Sequence, residues 1–152
     1  MRLKQQLEQD LKTALLAGDK DRARVLRGIK SVILYAEVAK GAREQGLPDE
    51  EIIALLSKEA KKRQESADLY AKGGSADRQE AELAEKVIIE AYLPKQLDEA
   101  EVLKVIDEII TGLENTGPVA MGQVIGAVKQ KTAGAADGAV IARLVKERLQ
   151  SS

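Results

Sequence analysis

Apolar side chains recur every three or four residues along most of the chain, which is the spacing of an amphipathic α-helix. The first stripe predicts a helix over about Leu3 to Ala17, because Gly18 then supplies a helix stop. A second stripe starts at Asp21 and fades before Gly41, which predicts a second and longer helix. No segment shows the alternation of a half-buried strand.

Two further stripes follow in the first part of the chain. After Pro48 an acidic first turn, favoured by the helix dipole, opens a third helix that ends at Gly73 and Gly74. Ser75 can cap a fourth helix with its side chain, and Pro94 stops that helix.

The remaining third of the chain predicts three more helices. After a hinge from Pro94 to Asp98, Asp98 and Glu101 have the spacing of a capping box, which starts the fifth helix. Asn115 to Pro118 break the chain, and a short helix follows over about Ala120 to Gln130. A second break, from Gly134 to Gly138, precedes the last helix.

These elements predict an all-α protein with a four-helix N-terminal domain over residues 1–93 and a three-helix bundle over residues 94–152. Helices 2 and 3 are expected to form a long antiparallel hairpin about the turn between them. In that arrangement Arg27 faces about Gln64, and Lys30 faces about Lys61.

Composition narrows the possible chemistry. The 24 basic and 25 acidic residues leave a net charge of −1, so any nucleic-acid surface must be a local patch. The sequence contains no Cys, His, Trp or Phe, which excludes thiolate and imidazole metal sites, cysteine nucleophiles and Ser-His-Asp triads. Aromatic residues make up 2% of the chain, too few for the stacking platforms of common RNA-binding sheets.

Neither the start of the chain nor any later segment suggests a membrane. The N-terminal segment is charged and amphipathic, without the apolar core of a signal peptide, and no run approaches the ~20 apolar residues of a membrane span. We therefore expect a cytoplasmic protein without membrane attachment.

The first candidate site is a basic patch on helices 2 and 3. Its expected members, which would contact RNA phosphates, are Arg24, Arg27, Lys30, Lys61, Lys62 and Arg63. Like charges on neighbouring helices repel one another unless a polyanion, or acids such as Glu59 and Glu65, offset them. A solvated helix face held by i,i+4 ion pairs is an equally good interpretation.

The second candidate is a strip around Gly122 and Gly126, which lie one helical turn apart. A glycine inside a helix costs about 1 kcal/mol relative to alanine, so this pair needs a reason. Close helix packing is the simpler reason and the one we favour. The alternative is an RNA backbone crossing the strip, with Lys129 at its end.

The hinge also allows two interpretations. It could be a recognition loop, but we favour a structural role in which Tyr92 and Leu97 staple the two helical domains together.

Catalytic motifs are missing: no phosphate-binding loop occurs, Ser57 and Lys58 would splay apart on a helix, and the Glu50/Glu51 pair is explained by capping. We expect no catalytic residues, metal or cofactor.

Taken together, these residues and motifs resemble the YqeY family over essentially the whole chain. The resemblance rests on the basic residues Arg27, Lys30, Lys61, Lys62 and Arg63, and on three motifs, at 92–97, 121–126 and 136–138. The Leu-Pro-x-Gln-Leu hinge and the Met-Gly-x-Val-x-Gly pattern are specific in combination. One departure is Ile125, where many members have methionine.

The resemblance implies four helices followed by three, and a C-terminal part similar to the tail domain of the B subunit of the tRNA-dependent amidotransferase, a tail that contacts tRNA. It does not imply catalysis, because the chemistry of that enzyme belongs to parts with no counterpart here. We therefore expect a non-catalytic protein that binds tRNA or assists an amidotransferase or an aminoacyl-tRNA synthetase. The alternatives are an adaptor that binds proteins without contacting RNA, and a carbon–nitrogen ligase on the family label alone.

Overall fold

The computed structural model describes residues 2–113 and 120–150, and the regular elements in these two ranges are all α-helices. The seven helices are α1 (Leu3–Ala17), α2 (Lys20–Lys40), α3 (Asp49–Lys72), α4 (Ala76–Glu90), α5 (Glu99–Thr111), α6 (Met121–Thr132) and α7 (Gly138–Gln150). The all-α prediction is confirmed. The predicted break at 115–118 lies outside the described residues.

Local capping chemistry explains most of the helix ends. Gly18 and Gly41 end α1 and α2 in the left-handed conformation, at φ of 71° and 67°, where a side chain would be strained. The predicted capping box at α5 is present, with the Asp98 carboxylate accepting from the Glu101 amide at 2.8 Å. Ser75 precedes α4, but its side chain makes no capping hydrogen bond, so that detail of the prediction is wrong.

The contacts within the chain group into two compact units, Met1–Leu93 and Pro94–Ser152. In the first unit, one core draws on all four helices and on Leu47 of the loop before α3. Leu7, Leu26, Ile52 and Leu56 are its largest fully buried apolar side chains. Truncating a residue of this kind to alanine typically costs about 2–5 kcal/mol, so this core dominates the stability of the first unit.

The helix pairing differs from the expected hairpin. The most extensive packing is between α3 and α4, while α2 packs mainly on α1. Gln64 was expected to face Arg27, but its side chain bonds Lys86 of α4 at 2.8 Å and Asp68 of its own helix. Neither α2 nor α3 therefore has the other as its main packing partner. The helical stripe locates the buried face of a helix, but it does not say which neighbour covers that face.

A buried carboxylate fastens the loop between α2 and α3. Glu37 is 1% exposed, and its Oε2 accepts from Lys4 Nζ at 2.8 Å and from the Leu47 amide at 3.3 Å. An unpaired carboxylate at this depth would be costly, so Lys4 and the loop backbone are what permit Glu37 to sit there. This ion pair holds α1, α2 and the loop together.

The second unit is a three-helix bundle whose entry segment is bonded to a turn. Its core is centred on Val102, Ile106, Val124, Val128, Ile141 and Val145, each no more than 1% exposed. The Leu97 amide donates to the Ala135 carbonyl at 2.7 Å, and the Gln96 side chain donates to the Gly134 carbonyl at 3.0 Å. These bonds join the hinge motif to the turn between α6 and α7.

Tyr92 and Leu97, the two residues of the expected staple, each pack against a core. Tyr92 packs against the core of the first unit, and Leu97 packs against the core of the second. Each side chain is thus anchored in a core, and their joint role as a staple between the domains stays a prediction.

Candidate nucleic-acid interface

Two arginines of the predicted basic patch meet on one carboxylate. Arg24 of α2 and Arg63 of α3 approach the two oxygens of Glu85, a residue of α4, each at 3.3 Å. Arg63 also lies 3.3 Å from Glu82 of the same helix. We call these four residues the Glu85 cluster. The structure therefore brings α2 and α3 cations together, but it does so around acids contributed by α4.

These acids lower the positive charge that the patch can offer to a phosphate. Glu85 and Glu82 are about four-fifths covered, with 22% and 19% of the side chain exposed, so their attraction for arginine is weakly screened. Lys62 has its own partner, Glu59, at 3.4 Å, and Lys61 is exposed on the same helix. For Arg24, Lys62 and Arg63 the arrangement matches the ion-paired interpretation.

Arg27 and Lys30 differ from the other members of the patch. Both are exposed on α2, and neither has an ion pair or hydrogen bond to the described part of the chain. Arg27 lines a cleft with Ala14 and Leu15 of α1, and Lys30 lines another, of about 420 Å³, with Glu8 of α1. We call Arg27 and Lys30 the α2 cation pair. It faces the α1 side of α2, away from the predicted α3 partners.

The glycine strip of α6 is open surface. A methyl group built at Gly122 or Gly126 would meet no heavy atom within 4 Å among the described residues. Among the described residues, close helix packing, which the sequence favoured, is therefore not what either glycine provides. Lys129 is exposed on the same helix and lies over the start of α7, its Cε 3.4 Å from where a Cβ of Gly138 would be.

The acids that neutralise the basic patch of α2 and α3 were not predicted from the sequence. Glu82 and Glu85 belong to α4, which was expected to contribute only its apolar stripe. No local pattern identifies Glu85, because its partners Arg63 and Arg24 are 22 and 61 residues away in the chain. Glu37 could have been found, since it continues the buried spacing of Leu26, Ile29 and Ile33 along α2.

Comparison with known proteins settles the family. The family described as Yqey-like protein matches residues 4–149, almost the whole chain. The chain belongs to the YqeY family. It is also similar to a YqeY-like relative from Kluyveromyces lactis, "Altered inheritance of mitochondria protein 41, mitochondrial", with 31% identity over 130 residues, covering 83% of this chain and 69% of the relative. Because the name of that relative assigns it to mitochondria, the cytoplasmic location of this YqeY-family chain stays a prediction.

The described residues of the YqeY-family chain form neither a membrane-spanning helix nor a metal cluster. Within residues 2–113 and 120–150, no helix is long and apolar enough to cross a membrane. The same ranges contain no cluster of three or more carboxylates placed to hold a metal ion.

Proposed function

We propose that this protein is a non-catalytic accessory factor that binds tRNA, either by itself or in support of an enzyme that acts on aminoacyl-tRNA. The observation that carries the proposal is the α2 cation pair. Arg27 and Lys30 are exposed and have no acidic partner in the described chain, whereas Arg24 and Arg63 share Glu85. Cations without an internal counterion are available to neutralise phosphates.

The second unit supports the same proposal from a different direction. Its motifs resemble those of the amidotransferase tail that contacts tRNA, and the two glycines of the 121–126 motif are exposed on α6. Gly122 and Gly126 leave the backbone of α6 uncovered there, and Lys129 is exposed nearby. A bare backbone strip beside a lysine suits the close approach of a sugar-phosphate chain. The partner enzyme would be an amidotransferase or an aminoacyl-tRNA synthetase.

The chemistry of the available side chains favours a binding role over catalysis. Without cysteine or histidine, the chain lacks the thiol nucleophile and the most common general base of acyl and amide transfer. A glutamine-dependent carbon–nitrogen ligase is therefore supported by the family label alone, because the sequence offers no candidate catalytic residues for it.

The test is tRNA binding as a function of salt. The wild type should bind bulk tRNA with an affinity that falls steeply between about 50 and 200 mM salt. Replacing the pair, Arg27→Glu with Lys30→Glu, should weaken binding and flatten the slope of log affinity against log salt by about 2. Lys12→Glu with Lys72→Glu is the matched control, because it reverses two exposed lysines outside the proposed surface.

Equal losses in the two double variants would show that only overall charge matters and would overturn the role of the pair. Absence of salt-dependent retention in the wild type would overturn RNA binding itself. The second candidate function, an adaptor that binds proteins only, would then be favoured. Its support is Leu16 of α1, an apolar side chain that is 90% exposed.

A further inference from the structure

The solvent-facing side of α2 changes character halfway along the helix. We define the α2 strip as the exposed residues at three- and four-residue spacing on this side: Lys20, Arg24, Arg27, Ser31, Leu34, Tyr35 and Val38. Residues at this spacing lie on one face of a helix. The first three are cationic, and the last three are apolar or aromatic, with Ser31 between the two halves. One continuous face therefore offers charge at one end and apolar surface at the other.

The apolar half is well exposed. Tyr35 is 76% exposed, Val38 58% and Leu34 42%. In the described chain Tyr35 has no hydrogen bond and no cation above its ring, whereas Tyr70 lies under Arg78 at 5.8 Å and Tyr92 bonds Asp10. Of the three tyrosines, Tyr35 is thus the one whose ring is available to an outside partner.

We propose that the α2 strip binds unpaired nucleotides of an RNA, with Tyr35 stacking on a nucleobase and Arg27 contacting phosphates three or four nucleotides along the same strand. This inference rests on the proposed function and adds to it the kind of RNA segment recognised. It assigns the apolar half of the strip to single-stranded RNA, because a base that is already stacked in a duplex cannot present its face to a side chain.

Spacing and charge both favour single-stranded RNA as the ligand of the α2 strip. Arg27 and Tyr35 are eight residues apart, about 12 Å along the helix axis at 1.5 Å per residue, which is the length of three or four stacked nucleotides at about 3.4 Å each. The cation next to the apolar half, Arg27, has no acidic partner in the described residues, so a polyanion complements this end. Ser31 lies between them and can donate a hydrogen bond to a phosphate oxygen.

Leu34 and Val38 flank Tyr35 and give it an apolar surround. Aliphatic side chains beside an aromatic ring exclude water from a stacked base, which strengthens stacking without reading its sequence. The strip is therefore expected to prefer unpaired over paired RNA while tolerating any base.

Three RNA probes separate this inference from the proposed function. The first is a blunt duplex, the second is the same duplex with a four-nucleotide 3′ overhang, and the third carries an overhang of four abasic nucleotides. The second and third have the same number of phosphates, so the difference in their affinities reports the bases alone. Binding is measured by fluorescence anisotropy of labelled RNA, together with quenching of tyrosine fluorescence, which no tryptophan obscures in this chain.

The wild type should bind the overhang with bases at least about fivefold more tightly than the abasic overhang. Tyr35→Ala should abolish this preference without changing affinity for the blunt duplex, and Tyr35→Phe should retain it, because the ring does the stacking. Leu16→Ala, which removes an exposed apolar side chain of α1, should behave as wild type.

Equal affinity for the two overhangs, with salt-dependent binding to the blunt duplex, would overturn the inference and leave the proposed function standing. Absence of binding to all three probes would overturn both. Sedimentation of the free protein tests a second copy as the occupant. A dimer that Tyr35→Ala converts to a monomer, with overhang preference unchanged, would assign the apolar half to self-association and also overturn the inference.

Discussion

The Tyr92 hydroxyl donates a hydrogen bond to Oδ2 of Asp10 over 2.6 Å, although the two residues are 82 positions apart in the chain. The bond joins the end of α4 to α1 and so closes the first unit immediately before the hinge. Burial raises the pKa of Tyr92 to about 12, and the hydrogen bond and negative charge of Asp10 add to this effect, while Arg22 opposes it. The neutral hydroxyl is therefore the form that the folded protein holds.

This contact makes stability depend on pH in the alkaline range. The pKa of Tyr92 lies near 12 in the folded state, against 10.0 for an unperturbed tyrosine. The folded state therefore retains the proton to a higher pH than the unfolded state. The contribution of Tyr92 should be complete below pH 10 and should be lost as pH rises through 12. In a titration of tyrosinate absorbance, one of the three tyrosines should ionise late, and Tyr92→Phe should remove that component.

Denaturant unfolding of Tyr92→Phe provides a second measurement. At pH 7 the variant should be less stable by about 1–2 kcal/mol, because a hydrogen bond to a carboxylate is lost. The difference from wild type should shrink between pH 10 and pH 12. A constant difference between Tyr92→Phe and the wild type from pH 7 to pH 12 would contradict the proposed role of its hydroxyl.

Glu85 offers a test of the neutralised part of the basic patch. Glu85→Gln removes the charge that Arg24 and Arg63 share, so the two guanidinium groups are then offset only by their second partners, Asp21 and Glu82. We expect severalfold tighter tRNA binding at low salt and a steeper salt slope, by up to about 2. Glu90→Gln also removes one acid from α4 but frees neither arginine, and it serves as the control. Equal effects of the two substitutions would show that net charge, not the cluster, controls binding.

Gly126 tests the open strip of the second unit. Because a methyl group there would meet no described atom within 4 Å, Gly126→Ala should raise the free energy of unfolding by up to about 1 kcal/mol. Gly134→Ala is the contrasting control and should destabilise, since Gly134 has a φ of 89° that alanine rarely adopts. Weaker tRNA binding by a stabilised Gly126→Ala would support a role in RNA contact. Unchanged affinity would remove this glycine from the site.

Limited proteolysis tests whether the two units fold as separate domains. Trypsin should cut first after Lys95, an exposed residue at the start of the hinge, or after Lys72, beside the exposed Gly73 and Gly74. Lys104, the next trypsin site along the chain, should be more resistant, because it lies within α5. A chain that resists cleavage at both places would count against the two-domain prediction.

The helices could be predicted closely from the sequence because their signals are local. The stripe and stop around Gly18 define α1, and the capping box at Asp98 and Glu101 starts α5. The family could be recognised for the same reason, since its motifs are short runs of adjacent residues. What each helix buries also follows from spacing, and Glu37 shows that even a buried charge falls on that spacing.

Tertiary structure alone decided which helices are neighbours and, with that, which cations have partners. Arg24 and Arg27 lie one turn apart on α2 and look equivalent in the sequence, yet only Arg24 reaches Glu85. Helical periodicity repeats every few residues and carries no information about contacts dozens of residues away. The electrostatic character of the surface depends on those contacts, because a charge three ångströms from its counterion presents little field to a ligand.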